Sequence, residues 1–380
     1  MSFQTGVAAM PEVIDWRTIP DPHQAIQSAL TALRAGRVVV LPTEAGYVVA
    51  ADALASGASE HRRQLSLEPN HPWSLALSSE VVARDWVPVL SRIGRRFVRR
   101  LWPGPVTLQL AELPARVSET IRSQGPLSLR SPAHEVIREL LRELPESLLL
   151  ADLPPLITAE PATGSRLAEA LAERVAMVID DGPVRFPEGP TVVSVNGDRW
   201  QVLREAAVPA ALIERQAVCL IVFVCTGNTC RSPLAEALCK KRLSDRLACA
   251  PEELPQRGYM VLSAGLAAYG GGSAAVEAVE VASSYGADLS GHRSRGLSAE
   301  LLLQADYVLG MTQDHVEAMA EASAGLTEPP RLLSADGDDL ADPVGQARAV
   351  YEECAAAIWK HLDHLTAEIV AVSPPRPANP

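Results

Sequence analysis

Lysine is missing from the first 217 residues of this 380-residue chain and occurs only at Lys240, Lys241 and Lys360. Arginine carries the positive charge instead, as high-GC codon usage favours, so a site in that half that needs an ammonium has none to draw on. Cysteine is also sparse, at six residues, five of them between Cys219 and Cys249. That number and clustering exclude a secreted disulfide framework and point to reduced thiols or to local chemistry. No apolar run approaches the roughly 20 residues that a bilayer-crossing helix needs. Residues 1–16 have neither a basic start nor a long apolar core, so a signal peptide is not expected. A net charge of −12 and a pI near 5.2 disfavour bulk attraction to nucleic acid or anionic membrane. The expectation is a soluble, cytoplasmic protein with no membrane partner, long enough for two domains.

Residues 1–21 read as a loose lead-in. Residues 21–36 (DPHQAIQSALTALRAG) have an Asp-Pro start, helical spacing and a closing Gly, which predict a capped helix. RVVVLPTEAGYVVAAD (37–52) predicts strand, turn, strand. VLSRIGRRFVRRLWPGPVTLQL (89–110) predicts a basic amphipathic helix stopped by Trp-Pro-Gly-Pro, then a strand. Strands joined partly by helices and partly by hairpins predict a mixed α+β twisted-sheet domain over 22–208. A short joint covers 209–217. From Cys219 onward strand and helix alternate, which predicts a three-layer α/β domain with a parallel sheet over 218–372. The Pro-rich tail 373–380 is expected to be disordered, and His361 and His364 on the last helix are expected to face solvent.

The densest chemistry lies in VCTGNTCRSP (224–233), between an apolar β-rich run and a helix. Such a loop falls at the carboxyl end of a sheet, where α/β folds bind ligands. Its amides and the first turn of the helix form an anion nest. Cys225 at the strand end, with Arg231 six residues on, meets two features that favour a thiolate. Arg231 can also grip two phosphoryl oxygens as a planar fork. Ser232 can hydrogen-bond the sulfur and help it leave, while Pro233 suits a first helical turn. Gly227 and Asn228 tolerate the left-handed backbone that a tight cradle needs. A Cys-x4-Cys zinc half-site is the competing reading, but no second pair or His partner has matching spacing.

The loop resembles the signature of the low-molecular-weight protein phosphatases. VLSAGL, HRSRGL, ADYVLGMT and ADPVG follow in that family's order over about residues 218–370. The resemblance implies a phosphocysteine intermediate on Cys225 and a general acid at Asp342 of the late Asp-Pro loop. Arg231 and the amides of Thr226, Gly227, Asn228, Thr229 and Cys230 would stabilise the equatorial oxygens, with Ser263 and Tyr269 completing the pocket. It also implies a reversible Cys225–Cys230 disulfide as a shield against deeper oxidation. The substrates would be phosphorylated proteins, and no cofactor or metal is called for. GGGS at 270–273 lacks the Lys-Ser/Thr of a nucleotide loop and reads as a flexible pocket rim.

Within that family, thioredoxin-coupled arsenate reductases need a further cysteine pair, and residues 250–353 contain none. Tyrosine phosphatases usually carry Ile at the position of Thr229 and an aromatic residue at that of Val344. Bacterial protein-arginine phosphatases share the Thr. Phosphoarginine is therefore the expected substrate ahead of phosphotyrosine.

LPTEAGYVVAAD, LWPGPVTLQL, LSLRSP and GPTVVSV…LREAAV resemble the YrdC-like threonylcarbamoyl-AMP synthase domain over about residues 22–208. That family uses a Lys-x-Arg motif, yet here Ser66 and Glu68 fall in the two basic positions. Its Ser-Thr-Ser-Ala-Asn motif, due near LLLADLPPLIT (148–158), is missing as well. An acidic side chain beside a triphosphate adds repulsion where attraction is required. A non-catalytic relative is expected, with Thr43, Glu44, Arg130 and the Trp102–Pro105 turn holding the fold. Nucleotide or RNA binding, or synthase activity with displaced residues, stays as an alternative.

Overall fold

The computed structural model describes residues 10–55, 73–78, 90–110, 127–144, 148–153, 163–322, 329–371 and 376–377. Ser66, Glu68, residues 154–158 and most of the tail expected to be disordered lie outside them; within that tail Arg376–Pro377 form a two-residue strand, against the expectation. The chain divides into two compact units, the first running through Gln216 and the second starting at Ala217.

In the first unit the strands are β1 (Glu12–Asp15), β2 (Val39–Thr43), β3 (Gly46–Asp52), β4 (Ser74–Ala76), β5 (Val106–Leu110), β6 (Leu127–Arg130), β7 (Leu148–Asp152), β8 (Met177–Asp180), β9 (Thr191–Asn196) and β10 (Arg199–Arg204). They lie in the order β1-β8-β2-β3-β7-β4-β6-β5-β9-β10. Pairing is mixed: β2 and β3 form an antiparallel hairpin, whereas β1 lies parallel to β8 and β5 parallel to β9. Both sheet faces are covered. Helices Pro22–Arg34 and Glu135–Glu143 pack over Val39, Leu41, Val48 and Ala50, and helix Gly164–Leu171 packs over Val38, Val40, Val49 and Ala51. Continuous apolar runs in β2 and β3 follow from this two-sided burial. The helix Pro22–Arg34 starts where capping chemistry predicts, with the Asp21 carboxylate accepting from the His23 and Gln24 amides.

Two expectations fail in this unit. The lead-in contributes β1, an edge strand whose half-exposed EVID pattern lacks the alternation that marks a strand. The joint at 209–217 is itself a helix, Ala210–Ala217, in which Ile213 is fully buried.

The second unit has a parallel sheet in the order β12-β11-β13-β14, formed by β11 (Cys219–Cys225), β12 (Tyr259–Gly265), β13 (Tyr307–Gly310) and β14 (Arg331–Leu332). The two-residue period of β11 decides its layers. Cys219, Ile221, Phe223 and Cys225 face helices Arg231–Leu247, Val276–Ser284 and Arg348–Ala371. Leu220, Val222 and Val224 face Leu302 and Met319 of helices Ala299–Gln304 and Gln313–Ala322. Truncating a fully buried ring such as Phe223 to Ala would cost about 3–5 kcal/mol. This packing sets the end of β11 as a rigid platform, with Cys225 on the side of the long helices.

Candidate active site

Cys225 ends β11 in register with Gly265 of β12, and Val224 in register with Gly310 of β13. The loops after the three strands therefore crowd one sheet edge. Glycine at 265 is required there, because a Cβ would lie 2.6 Å from the Thr226 carbonyl oxygen and 2.9 Å from the Asn228 amide. The loop is sewn down on that side by Leu266 N–H to the Cys225 carbonyl and Ala267 N–H to the Thr226 carbonyl, each 2.9 Å.

Asn228 has the left-handed backbone anticipated for the cradle, at φ +53°, whereas Gly227 does not use it. Its fully buried side chain organises the site. Nδ2 donates to Ser232 Oγ at 3.0 Å and to Ser263 Oγ at 2.9 Å, and Oδ1 accepts from the Arg295 amide at 2.8 Å. His292 Nε2 sits 2.9 Å from the Asn228 carbonyl oxygen, which can only accept, so the proton is on Nε2. Ser263 Oγ donates to Glu236 Oε2 at 2.6 Å, and Lys240 binds the other oxygen of the same carboxylate.

The Cys225 sulfur lies 3.0 Å from Ser232 Oγ and receives the Asn228 amide at 3.3 Å. Ser232 Oγ is also 3.2 Å from the Ala264 carbonyl. With Asn228 as its donor, the hydroxyl has one proton to place on either sulfur or carbonyl. The Asn228 amide and the Ser232 hydroxyl thus both lie within hydrogen-bond reach of one buried sulfur. The helix Arg231–Leu247 starts directly after the loop and adds its positive end.

Arg231 is buried, and donates to the Leu340 carbonyl at 3.1 Å and to the Asp342 carboxylate. Asp342 is partly exposed and accepts the Val344 amide on its other oxygen. Thr229 is half-buried, its hydroxyl 3.6 Å from Cys230 Sγ. Tyr269 is 93% exposed and Val344 60% exposed. The GGGS segment is tied rather than loose: Gly271 N–H donates to the Ser294 carbonyl, Ser294 N–H to the Gly272 carbonyl and Gly272 N–H to Ser294 Oγ.

Sequence reading missed four groups. Besides Glu236 and His292, Tyr351 places its hydroxyl 3.4 Å from Cys230 Sγ, and burial together with that contact pushes its phenol above the usual range. His315 is buried, with Nε2 3.0 Å from Thr226 Oγ1 and Nδ1 2.6 Å from Thr312 Oγ1. Burial, then the Arg231 charge, holds its pKa below that of a free imidazole. Glu236 alone left a local trace, being one helical turn beyond Ser232 and so on the same face. His361, expected to face solvent, is buried with Nδ1 accepting the Ala335 amide at 3.3 Å, while His364 is exposed. Among the described residues no three His, Cys, Asp or Glu side chains converge as metal ligands.

In the first unit the Thr43 hydroxyl donates to the Gly46 carbonyl and accepts the Ala45 amide, closing the β2–β3 turn. Glu44 accepts the Ala133 amide at 3.0 Å. Arg130 is buried and paired with Asp152 at 2.8 Å, and Asp152 also lies 3.5 Å from Arg204. Trp102 Nε1 donates to the Val106 carbonyl, closing the Trp-Pro-Gly-Pro turn.

Comparison with known proteins matches the two units to two families. Residues 31–206 match the Sua5/YciO/YrdC model, described as telomere recombination, and residues 220–373 match the low molecular weight phosphotyrosine protein phosphatase model. A Mycobacterium tuberculosis relative named as a threonylcarbamoyl-AMP synthase is 30% identical over 208 residues, covering 52% of this chain and 92% of its own. A Geobacillus stearothermophilus protein-arginine-phosphatase is 35% identical over 153 residues, covering 39% of this chain and 95% of its own. A Ralstonia nicotianae relative named as the low molecular weight protein-tyrosine-phosphatase EpsP is 33% identical over 146 residues, covering 38% of this chain and 90% of its own. No helix among the described residues is long and apolar enough to cross a membrane. The chain thus belongs to the Sua5/YciO/YrdC family through its first unit and, through its second, to the low-molecular-weight protein phosphatases, which makes it a phosphatase hydrolase.

Proposed function

We propose that the second unit dephosphorylates proteins through Cys225 and prefers phosphoarginine to phosphotyrosine. The Cys225 thiolate attacks phosphorus and the S–P bond forms as the P–N bond breaks. Asp342, as the carboxylic acid, gives its proton to the departing guanidine nitrogen. Water then attacks the phosphocysteine while Asp342 takes its proton, the S–P bond breaks, and inorganic phosphate leaves. Arg231 and the loop amides carry the charge on the equatorial oxygens. Ser232 donates a hydrogen bond to the sulfur as it departs as a thiolate, its hydroxyl turning away from the Ala264 carbonyl.

The observation that carries the preference is the Thr229 hydroxyl in the phosphate loop, 3.6 Å from Cys230 Sγ. It can accept from a guanidinium or orient water where an Ile would offer only a methyl surface. Aliphatic, solvent-facing Val344 supplies no ring to stack on a phenol, and Tyr269 packs against little. The protein-arginine-phosphatase relative agrees with this reading, while the EpsP relative keeps the tyrosine activity as the other outcome. Turnover of phosphoarginine against phosphotyrosine peptides, with and without Thr229→Ile, tests it.

For the first unit we propose a non-catalytic role. Thr43, Glu44, Arg130 and Trp102 each make a side-chain hydrogen bond or ion pair within the unit, which supports a structural reading. Nucleotide or RNA binding stays open to direct titration.

A further inference from the structure

Two strand ends that are register partners, Val224 and Gly310, launch loops that run side by side. One launches the phosphate loop through Thr226. The other turns through Thr312 into helix Gln313–Ala322. Gly310 lets that helix come close, since a Cβ would meet Val316 Cγ2 at 2.9 Å and His315 Cβ at 3.3 Å. His315 is the side chain that fills the gap between the two loops. Its ring is 5% exposed, although Thr226 lies at the surface.

One tautomer satisfies every hydrogen-bonding group along this line. Thr312 Oγ1 accepts the backbone N–H of His315 at 3.4 Å and can point its own proton at Nδ1. With Nδ1 accepting, the ring proton is on Nε2 and is donated to Thr226 Oγ1. The Thr226 hydroxyl, having accepted, keeps its proton for another acceptor. The charged side chains that act on the ring are Arg231, Asp314, Asp339 and Asp342, and burial favours its neutral form.

We propose that His315 is a positioning residue for the phosphatase reaction, which holds Thr226 so that its hydroxyl and amide both present donors to the phosphoryl group. This rests on the phosphate-loop reading given above. Thr312–His315–Thr226 is then a strut from the third strand's loop to the first, and it sets the outer edge of the anion cradle. Displacement of a cradle edge by a fraction of an ångström is sufficient to cost rate, at about 10- to 100-fold.

The test uses full-length protein with two readouts, hydrolysis of p-nitrophenyl phosphate and equilibrium binding of orthovanadate. His315→Ala and Thr226→Val are each expected to lower kcat/KM and vanadate affinity about 10- to 100-fold. The double variant should fall no further than the worse single one, the signature of one shared interaction. His315→Gln, with an acceptor and a donor at similar reach, should recover most of the loss. Additive losses, or a Thr226→Val variant that behaves as wild type while His315→Ala merely melts earlier, would overturn the proposal. Vanadate binding needs no turnover. A wild type that binds vanadate but cleaves no phosphorylated side chain would defeat the catalytic reading and still decide the role of His315.

Discussion

Cys225 Sγ and Ser232 Oγ stand 3.0 Å apart in the core of the site, and the same hydroxyl lies 3.2 Å from the Ala264 carbonyl. One proton thus serves two acceptors, and the charge on sulfur decides between them. Ser232→Ala is expected to slow breakdown of the phosphocysteine more than its formation. Steady-state turnover should drop about 10²-fold, the usual effect of losing one transition-state donor. A larger pre-steady-state burst, with phosphoenzyme accumulating, is the signature in rapid-quench kinetics. An unchanged burst would remove Ser232 from the second step.

On the proposed reading, Thr229 selects the substrate. Wild-type protein should favour a phosphoarginine peptide over a phosphotyrosine peptide, and Thr229→Ile should reduce or reverse that ratio. Cys225→Ser should abolish both activities, by about 10⁴-fold or more, because no second nucleophile stands in its place. A phosphotyrosine preference indifferent to residue 229 would leave a tyrosine phosphatase.

Cys230 is the candidate partner of Cys225 in an oxidised state. Peroxide is expected to turn Cys225 into a sulfenic acid, which would condense with the Cys230 thiol to a disulfide and release water. The Tyr351 hydroxyl lies 3.4 Å from Cys230 Sγ and can hold that sulfur in place. After a peroxide pulse the wild type should recover with dithiothreitol, whereas Cys230→Ser should not. Tyr351→Phe should recover less than wild type at equal peroxide, with its unoxidised kcat intact. Equal recovery of all three, followed by activity assay, would count against the pair.

His361 gives stability a pH dependence. Burial holds its pKa below the free value, countered in part by Asp336, with Lys360 lowering it and Asp338 raising it. Its Nδ1 must stay unprotonated to accept the Ala335 amide. The unfolded chain therefore binds the proton first, at about pH 6.5, and stability present above that pH is lost as pH falls toward the folded pKa. Melting temperature should decline between pH 7.5 and 5.5, and the decline should flatten in His361→Gln. A parallel slope in the variant would assign the effect to other groups, His315 first among them.

The first unit should release no threonine-dependent pyrophosphate from ATP and bicarbonate. Measurable release, lost on Arg130→Ala, would instead establish a synthase with displaced residues.

The reach of sequence reading at this site followed the distance between partners along the chain. Cys225, Asn228, Arg231 and Ser232 were legible because a cradle needs those residue types within one short loop. The supports were not, since His292 meets Asn228 across 64 positions, His315 meets Thr226 across 89 and Tyr351 meets Cys230 across 121. No local pattern marks such contacts. The parallel sheet of the second unit could be read from strand–helix alternation, whereas β1 could not, because a four-residue edge strand with one face in water carries almost no periodic signal. His361 failed for a related reason: on a helix packed along most of its length, a polar residue type says little about which way it faces.

Arg231 already holds an anion of its own, the Asp342 carboxylate. Entry of any oxyanion into the cradle is consequently an exchange, with the newcomer's binding energy reduced by the bond it breaks. Vanadate or sulfate should bind Asp342→Asn more tightly than wild type, even as turnover slows. The same exchange runs backwards at the end of a cycle, when the returning carboxylate competes with product phosphate for the guanidinium. The carboxylate that weakens binding of an incoming anion is thus also the group that competes with the product for Arg231.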